Sequence, residues 1–362
     1  MKRHITTLLI ALAAIGSAFS QTPVSNYLPG ANAEGTVYFL PKVAVRASIL
    51  VERTQYEPGR FAKYASRYLR LTGIGQEPTE QYRIVGVRQT AVGVTDTTKC
   101  YVLHIGQKGL ASKFSSTDDG RLLAVNAEAL PESEPKPFVA ARQVPLPDAT
   151  QYLSEEIVSA GSVAKMAELT AREIYDLREN RNLLIKGQAD FMPSDGQQMQ
   201  LMLQNIDRQD QALTRLFAGT TRRDTTETVV YFCPEGPVEK QVLFRLSQYR
   251  GVVDVDDLSG TPYYIYIDDL NSVPPVDDEL AAKHKRRKED AALYFNVPGR
   301  MRSTIKLGAT TVIDSAELPA PQFGNVEQLS TDLFTNKKFV TRVWLNSVTG
   351  AVDKIESEAV GK

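Results

Sequence analysis

Cysteine, histidine and tryptophan are nearly absent from this chain, at two, three and one in 362 residues. The histidines are His4, His104 and His284, and none has a second histidine or a cysteine pair at ligand spacing, so a zinc site of the usual His/Cys type is not expected. No Gly-x-Ser-x-Gly elbow, Walker loop or Gly-x-Gly-x-x-Gly occurs; Gly73-Ile74-Gly75 lacks the third glycine and follows a helical pattern, so it reads as a helix stop. A serine or cysteine hydrolase would need His104 or His284 as its base. His104 lies in the apolar run Tyr101 to Ile105 and reads as a structural residue, while the cations flanking His284 disfavour its protonation. Charge of one sign is not in excess either, with 42 Lys and Arg against 43 Asp and Glu, so no global affinity for nucleic acid is implied. After Ile15 no apolar run approaches the roughly 18 residues that span a bilayer as a helix.

What is present begins at the first residue. Lys2, Arg3 and His4 lead into an apolar run from Ile5 to Ile15, closed by Gly16, Ser17, Ala18 and Ser20. A positive start, a short apolar core and small residues at the third-last and last positions describe a secretory signal peptide, cleaved between Ser20 and Gln21. The expected address is outside the cytoplasm, periplasmic or peripheral at the outer membrane. No cysteine follows the small residues, so no lipid anchor is expected. In an oxidising compartment Cys100 and Cys233 are a candidate disulfide, against the alternative of two buried free thiols.

Gly35 to Val51 is rich in β-branched and aromatic residues and predicts one or two strands. Pro58 then opens a short helix in which Phe61, Tyr64, Ala65, Tyr68 and Leu69 share a face and Arg60, Lys63, Arg67 and Arg70 lie opposite. Further strands are predicted at Tyr82 to Val94, Lys99 to Ile105 and Arg121 to Val125. Five prolines between Leu130 and Pro147 mark an extended connector. Ser154 to Lys186 carries no proline and repeats apolar residues every three or four positions up to Gly187, a helix stop. Ser194 with Gln197 forms a capping box opening a second helix, whose stripe is Met199, Met202, Ile206, Leu213 and Phe217. Strand patterns return after Thr226 and continue to a final hairpin around Asn346 to Gly350. The predicted organisation is α+β: a signal peptide over 1–20, an N-terminal β-rich domain over 21–130, a connector over 131–150, an antiparallel helical hairpin over 151–220, and a C-terminal β-rich domain over 221–362. Whether the β-rich units form one sheet system or two stays open.

Three charged groups stand out. On the first long helix Glu168, Arg172, Asp176 and Glu179 are candidate partner-docking residues, with a charge-laced solvent face as the plainer reading. Asp254, Asp256 and Asp257 belong to a run of acids without lysine or arginine from Gly251 to Glu279, and form a calcium candidate that lacks the spacing of an EF-hand loop. Lys283, Lys285, Arg286, Arg287 and Lys288 follow as a candidate anion patch for lipopolysaccharide phosphates or an acidic partner. Acids before and bases after Leu280 also suit the macrodipole of a short helix.

The run Ala160 to Asp190, with Tyr38 to Pro41, Tyr64 to Leu71 and Gln322-Phe323-Gly324, resembles a family of exported Bacteroidota proteins built on a domain of unknown function numbered 4831. The resemblance implies export and the kind of organism, and carries over no catalytic residue. It also implies that Gln21, once exposed, can cyclise to pyroglutamate. The expected function is a non-catalytic binding or structural component of the cell envelope, without a cofactor, that meets an envelope or outer-membrane protein through the helical hairpin. The alternative is a periplasmic hydrolase of envelope glycan or peptide using a carboxylate pair.

Overall fold

In a computed structural model, residues 35–104, 113–131, 136–142, 145–275, 291–330, 333–334 and 338–359 are described. Strand β1 spans Gly35–Glu57, the short helix α1 Ala65–Leu69 and strand β2 Thr79–His104. Strands β3 (Phe114–Ser116) and β4 (Leu122–Val125) precede the connector, and the one-turn helix α2 (Glu155–Val158) follows it. The hairpin comprises α3 (Val163–Lys186) and α4 (Gly196–Ala218). Then come β5 (Thr220–Phe232), β6 (Val238–Ser247), β7 (Gly251–Val253), β8 (Thr261–Asp269), β9 (Ala291–Leu307), β10 (Thr311–Ser330), β11 (Phe339–Leu345) and β12 (Val352–Ala359).

Three sheets result, in the orders β2-β1-β5, β10-β9-β8-β6-β7 and β12-β11-β4-β3, with every pairing between named strands antiparallel. β1 pairs with β2 on one side and with β5, some 180 residues later, on the other, from Val45↔Phe232 to Glu57↔Thr220. β4 pairs with β11. Strands of 21–130 and 221–362 therefore share two sheets, and the open question of one system or two closes in favour of one. The helical segment leaves that system after β4 and re-enters it as β5.

β1 runs through two cores and leads into a third. Alternate residues Val43, Val45, Ala47, Ile49 and Val51 point inward, as the two-residue period of a strand requires, and meet Phe244, Ile265, Ile267, Met301 and Ile305 of the five-stranded sheet. Nearer its start, Tyr38 and Leu40 join Leu122, Val125, Leu293, Val343 and Leu345. Past its end, Phe61, Ala65 and Leu69 pack on the hairpin. Pro41 is tolerated in a central strand because it falls at a register shift against β2 and before the pairing with β5 begins.

Gln322 closes the sandwich from β10. Its amide accepts from the Val43 N–H (3.1 Å) and donates to the Val43 carbonyl (2.9 Å) and the Pro234 carbonyl (3.2 Å), doing for β1 what a strand would do. Gly324, two residues on, passes so close to Val297 that a Cβ would overlap its carbonyl oxygen. The buried Asn296 donates to the Pro41 (2.9 Å) and Thr349 (2.8 Å) carbonyls and so ties the β11–β12 turn to β1.

Several expectations shift. The strands predicted at Tyr82 to Val94 and Lys99 to Ile105 are one strand, β2, in which Asp96 to Lys99 bulge between two registers. The helix predicted from Ser154 breaks after Val158, and α3 restarts with Ser162 as its cap, accepting from the Lys165 N–H (3.2 Å). The predicted cap is displaced by one residue: Asp195 caps α4 and accepts from the Gln198 N–H (2.8 Å), while Ser194 donates to the Gln198 side chain. Gly187 does stop α3, in the left-handed region at φ 69°, with its N–H reaching the Leu183 and Leu184 carbonyls.

Candidate functional site

The hairpin has two different halves. At its base, Met166, Ala167, Leu169, Ala171, Ile174 and Leu177 of α3 and Leu213 and Phe217 of α4 form one core with α1. Phe61 lies with its ring 5.3 Å from that of Phe217, and its N–H donates to the Leu216 carbonyl (2.6 Å). Tyr175 donates to the Tyr68 carbonyl (3.0 Å). Midway, Arg178 is bound to Asp210 (3.0 Å) and donates to Thr214 (3.1 Å), and Arg181 is bound to Asp207 (2.6 Å), which fixes α3 antiparallel to α4. A shallow groove of about 340 Å³ lies beside this network, lined by Leu146 of the connector with Arg178, Asp210, Gln211, Thr214 and Arg215. Its polar groups are largely occupied by the network itself.

Beyond Arg181 and Asp207 the hairpin has no substantial packing against a strand among the described residues. The first eleven residues of α4 alone extend about 16 Å at the helical rise. Here apolar side chains face outward: Phe191 is 87% exposed, Leu201 59%, Ile185 54%, Met192 47% and Met202 38%. From Asn182 to Ile206 the only charged residues are Lys186, Asp190 and Asp195, among a run of glutamines and asparagines. Asp195 is engaged as the α4 cap. Exposed apolar side chains in a charge-poor setting have the composition of an interface core, where aromatic residues and methionine are enriched and charge is depleted. Of the stripe read from sequence, Leu213 and Phe217 are buried, Met199 and Ile206 are half-buried, and Met202 is exposed at its edge. Leu201 falls on the opposite side of the helix from Met199 and Leu203, the half-buried residues that carry the stripe on from Ile206.

The docking candidates read from sequence lie elsewhere. Glu168, Arg172, Asp176 and Glu179 run along the outer flank of α3, mostly on its supported half. Glu168 is paired with Lys165 (2.9 Å) and Arg172 (3.6 Å), and the hydrogen bond from Lys165 holds its carboxyl below the usual range. Asp254, Asp256 and Asp257 fall in the turn between β7 and β8. Asp257 accepts from the Ser259 N–H (2.9 Å) and is bound to Arg250 (2.8 Å), so its oxygens are spoken for. Among the described residues no three His, Cys, Asp or Glu side chains gather as a metal site would require. Ser20, Gln21 and the patch Lys283, Lys285, Arg286, Arg287 and Lys288 lie outside the described residues, as do His284 and the side chain of His104.

The candidate disulfide is corrected. Cys100 and Cys233 are free, and the topology explains why. Cys100 on β2 is opposite Phe39, whereas Cys233 follows the β5 residue paired with Val45 on the other flank of β1. Two strand spacings, about 9.6 Å, already separate them before their offset along β1 is counted. A disulfide tolerates a Cα separation of about 7 Å at most. Burial pushes both thiols up, which disfavours the nucleophilic thiolate.

Among the described residues, the carboxyl groups that shift from their ordinary range are lowered. General acid catalysis needs a carboxyl raised by its surroundings. Glu227 is lowered by the hydroxyl of Ser48 and the Phe138 N–H, Glu80 by the hydroxyl of Tyr82 and the side chains of Gln55 and Arg53, and Glu317 by Arg302. These groups are ties between strands.

No helix among the described residues is long and apolar enough to cross a membrane. No curated protein and no solved structure matches the chain. Residues 34–353 match the model of a domain of unknown function, DUF4831, so nearly the whole described fold, from β1 to the start of β12, belongs to that family.

Proposed function

We propose that the protein is an exported, non-catalytic binding component of the bacterial cell envelope that engages a protein partner through the unsupported end of its helical hairpin. The observation that carries this reading is the exposure of five large apolar side chains, Ile185, Phe191, Met192, Leu201 and Met202, in a segment almost free of charge. With one lysine, Lys186, against Asp190 and Asp195, the segment has no basic face, which favours a protein cleft over an anionic lipid surface. Burial of one such side chain contributes about 1.5–3 kcal/mol, enough for two or three anchors to hold a specific complex. The paired flank of Glu168 and Arg172 has its charges satisfied within the helix and serves as solvated surface in this reading.

Photo-cross-linking in native envelope tests it. A cross-linker at position 191 is expected to give a discrete adduct with another protein, lost on Met192→Ser and Leu201→Ser, while one at position 179 gives none. Equal adducts from both positions, an adduct of twice the chain's own mass, or no adduct would overturn it. Export is tested separately by sequencing the mature N-terminus, expected at Gln21.

A further inference from the structure

β12 is held from one side only. β11 pairs along its length, from Phe339↔Ala359 to Leu345↔Val352, and its other edge has no strand beside it among the described residues. From Asp353 to Ala359 every side chain is exposed, on both faces. Ile355 sits opposite Val343 and so on the same face of the sheet. Val343 is fully buried in the core beneath, yet Ile355 is 43% exposed, because that core ends under β11. Phe339, on the same face, is 42% exposed. An uncovered edge of eight residues carrying apolar side chains is a template for another strand.

We propose that β12 pairs antiparallel with β12 of a second copy of this chain, about a two-fold axis through Ile355. Charge selects both the partner and the register. In this pairing Ile355 meets the partner's Ile355 over the open end of the core, and Lys354 meets the partner's Glu356 twice, once on each side of the axis. Lys354 already binds its own Glu356 (2.6 Å) over the ring of Trp344 (5.2 Å), so the four side chains form an alternating ring of two cations and two anions. Moving the axis to Lys354 or to Glu356 sets that residue against its own copy, and a shift to a position between residues would exchange the faces. The sequence of the edge is thus self-complementary in one register, and the two four-stranded sheets become one.

Sedimentation of the full chain over a wide concentration range tests the proposal, with the dimer as the expected species. Lys354→Glu and Glu356→Lys, each of which turns both cross-strand pairs repulsive, are expected to raise the dissociation constant about tenfold or more, and the double exchange to restore it. Both residues are exposed, and an unchanged thermal midpoint will show that the fold is kept. Register is read by cysteine placement in a Cys100→Ala and Cys233→Ala background. Ile355→Cys, on the axis, is expected to cross-link rapidly between copies, whereas Ser357→Cys faces the partner's Asp353 and is expected to cross-link slowly. A monomer up to millimolar concentration, the outcome if Lys354 and the glutamates only keep the edge solvated, overturns the proposal. A dimer indifferent to both charge reversals overturns it as well.

Discussion

Replacing Gln322 by leucine isolates the contact that closes the sandwich, because it removes the amide while keeping the side chain's bulk. Three hydrogen bonds disappear: one from the Val43 N–H and two to the carbonyls of Val43 and Pro234. The N–H is the costly orphan. A buried donor left without a partner costs about 1–3 kcal/mol, while the carbonyls, with two lone pairs each, lose less. The sum is about 2–4 kcal/mol, a large share of the 5–15 kcal/mol typical of a folded domain. In a chain of this size that lowers the thermal midpoint by roughly 4–8 °C, measurable by calorimetry together with urea unfolding. Gln322→Glu sharpens the test. The ionised carboxylate can still accept from the Val43 N–H but turns an oxygen toward two carbonyls, so its pKa in the folded state rises above the unfolded value. The sign follows: its penalty is full at neutral pH and shrinks as pH falls and the carboxyl protonates to become a donor. Relative to the native chain, Gln322→Glu therefore recovers stability on acidification and Gln322→Leu does not. A loss under about 0.5 kcal/mol for leucine, or no pH difference between the two variants, would refute the strand-mimic reading.

Phe217→Ala, in the base of the hairpin, is expected to cost about 3–5 kcal/mol in chemical unfolding, whereas Leu201→Ser in the outer half stays within about 0.5 kcal/mol. Glu227 is held below the ordinary carboxyl range by Ser48, the Phe138 N–H and Arg46, so its stabilising contribution is present at neutral pH and is lost as pH falls through the folded value. Glu227→Gln is accordingly expected to lower stability at neutral pH and to flatten its decline toward acid, read from midpoints across a pH series. Gly187→Ala meets open space but a φ of 69°, and costs about 1 kcal/mol. Gly324→Ala costs more by the same assay, since its Cβ collides with the backbone of β9.

The elements that a short window of sequence controls were legible. The apolar period of α3, its stop at Gly187 and the alternation of β1 are local consequences of side-chain spacing and glycine's freedom. The capping residue of α4 was misplaced by one because Ser194 and Asp195 are both good caps and each engages Gln198. Gln322-Phe323-Gly324 was recognisable as a motif without a reason for it. The reason lies across the molecule, in the backbone of Val43, which the β5 pairing does not reach, and in the close passage of Val297. The candidate site was half legible: the sequence pointed to the hairpin but chose its paired, charged flank. Which part of an apolar stripe is buried depends on where α1 ends, and no spacing within α3 or α4 encodes that.

The sequence by itself therefore determined the period and order of the elements and some of their ends, such as the stop at Gly187, since those rest on interactions between residues a few positions apart. Tertiary structure alone decided which edges meet: β1 between β2 and β5, β4 beside β11, Cys100 and Cys233 on opposite flanks, and β12 with one side unpaired among the described residues. Strand pairing uses backbone groups that every residue carries alike, so the choice among partners falls to the packing of whole faces, which exists only once the chain has folded.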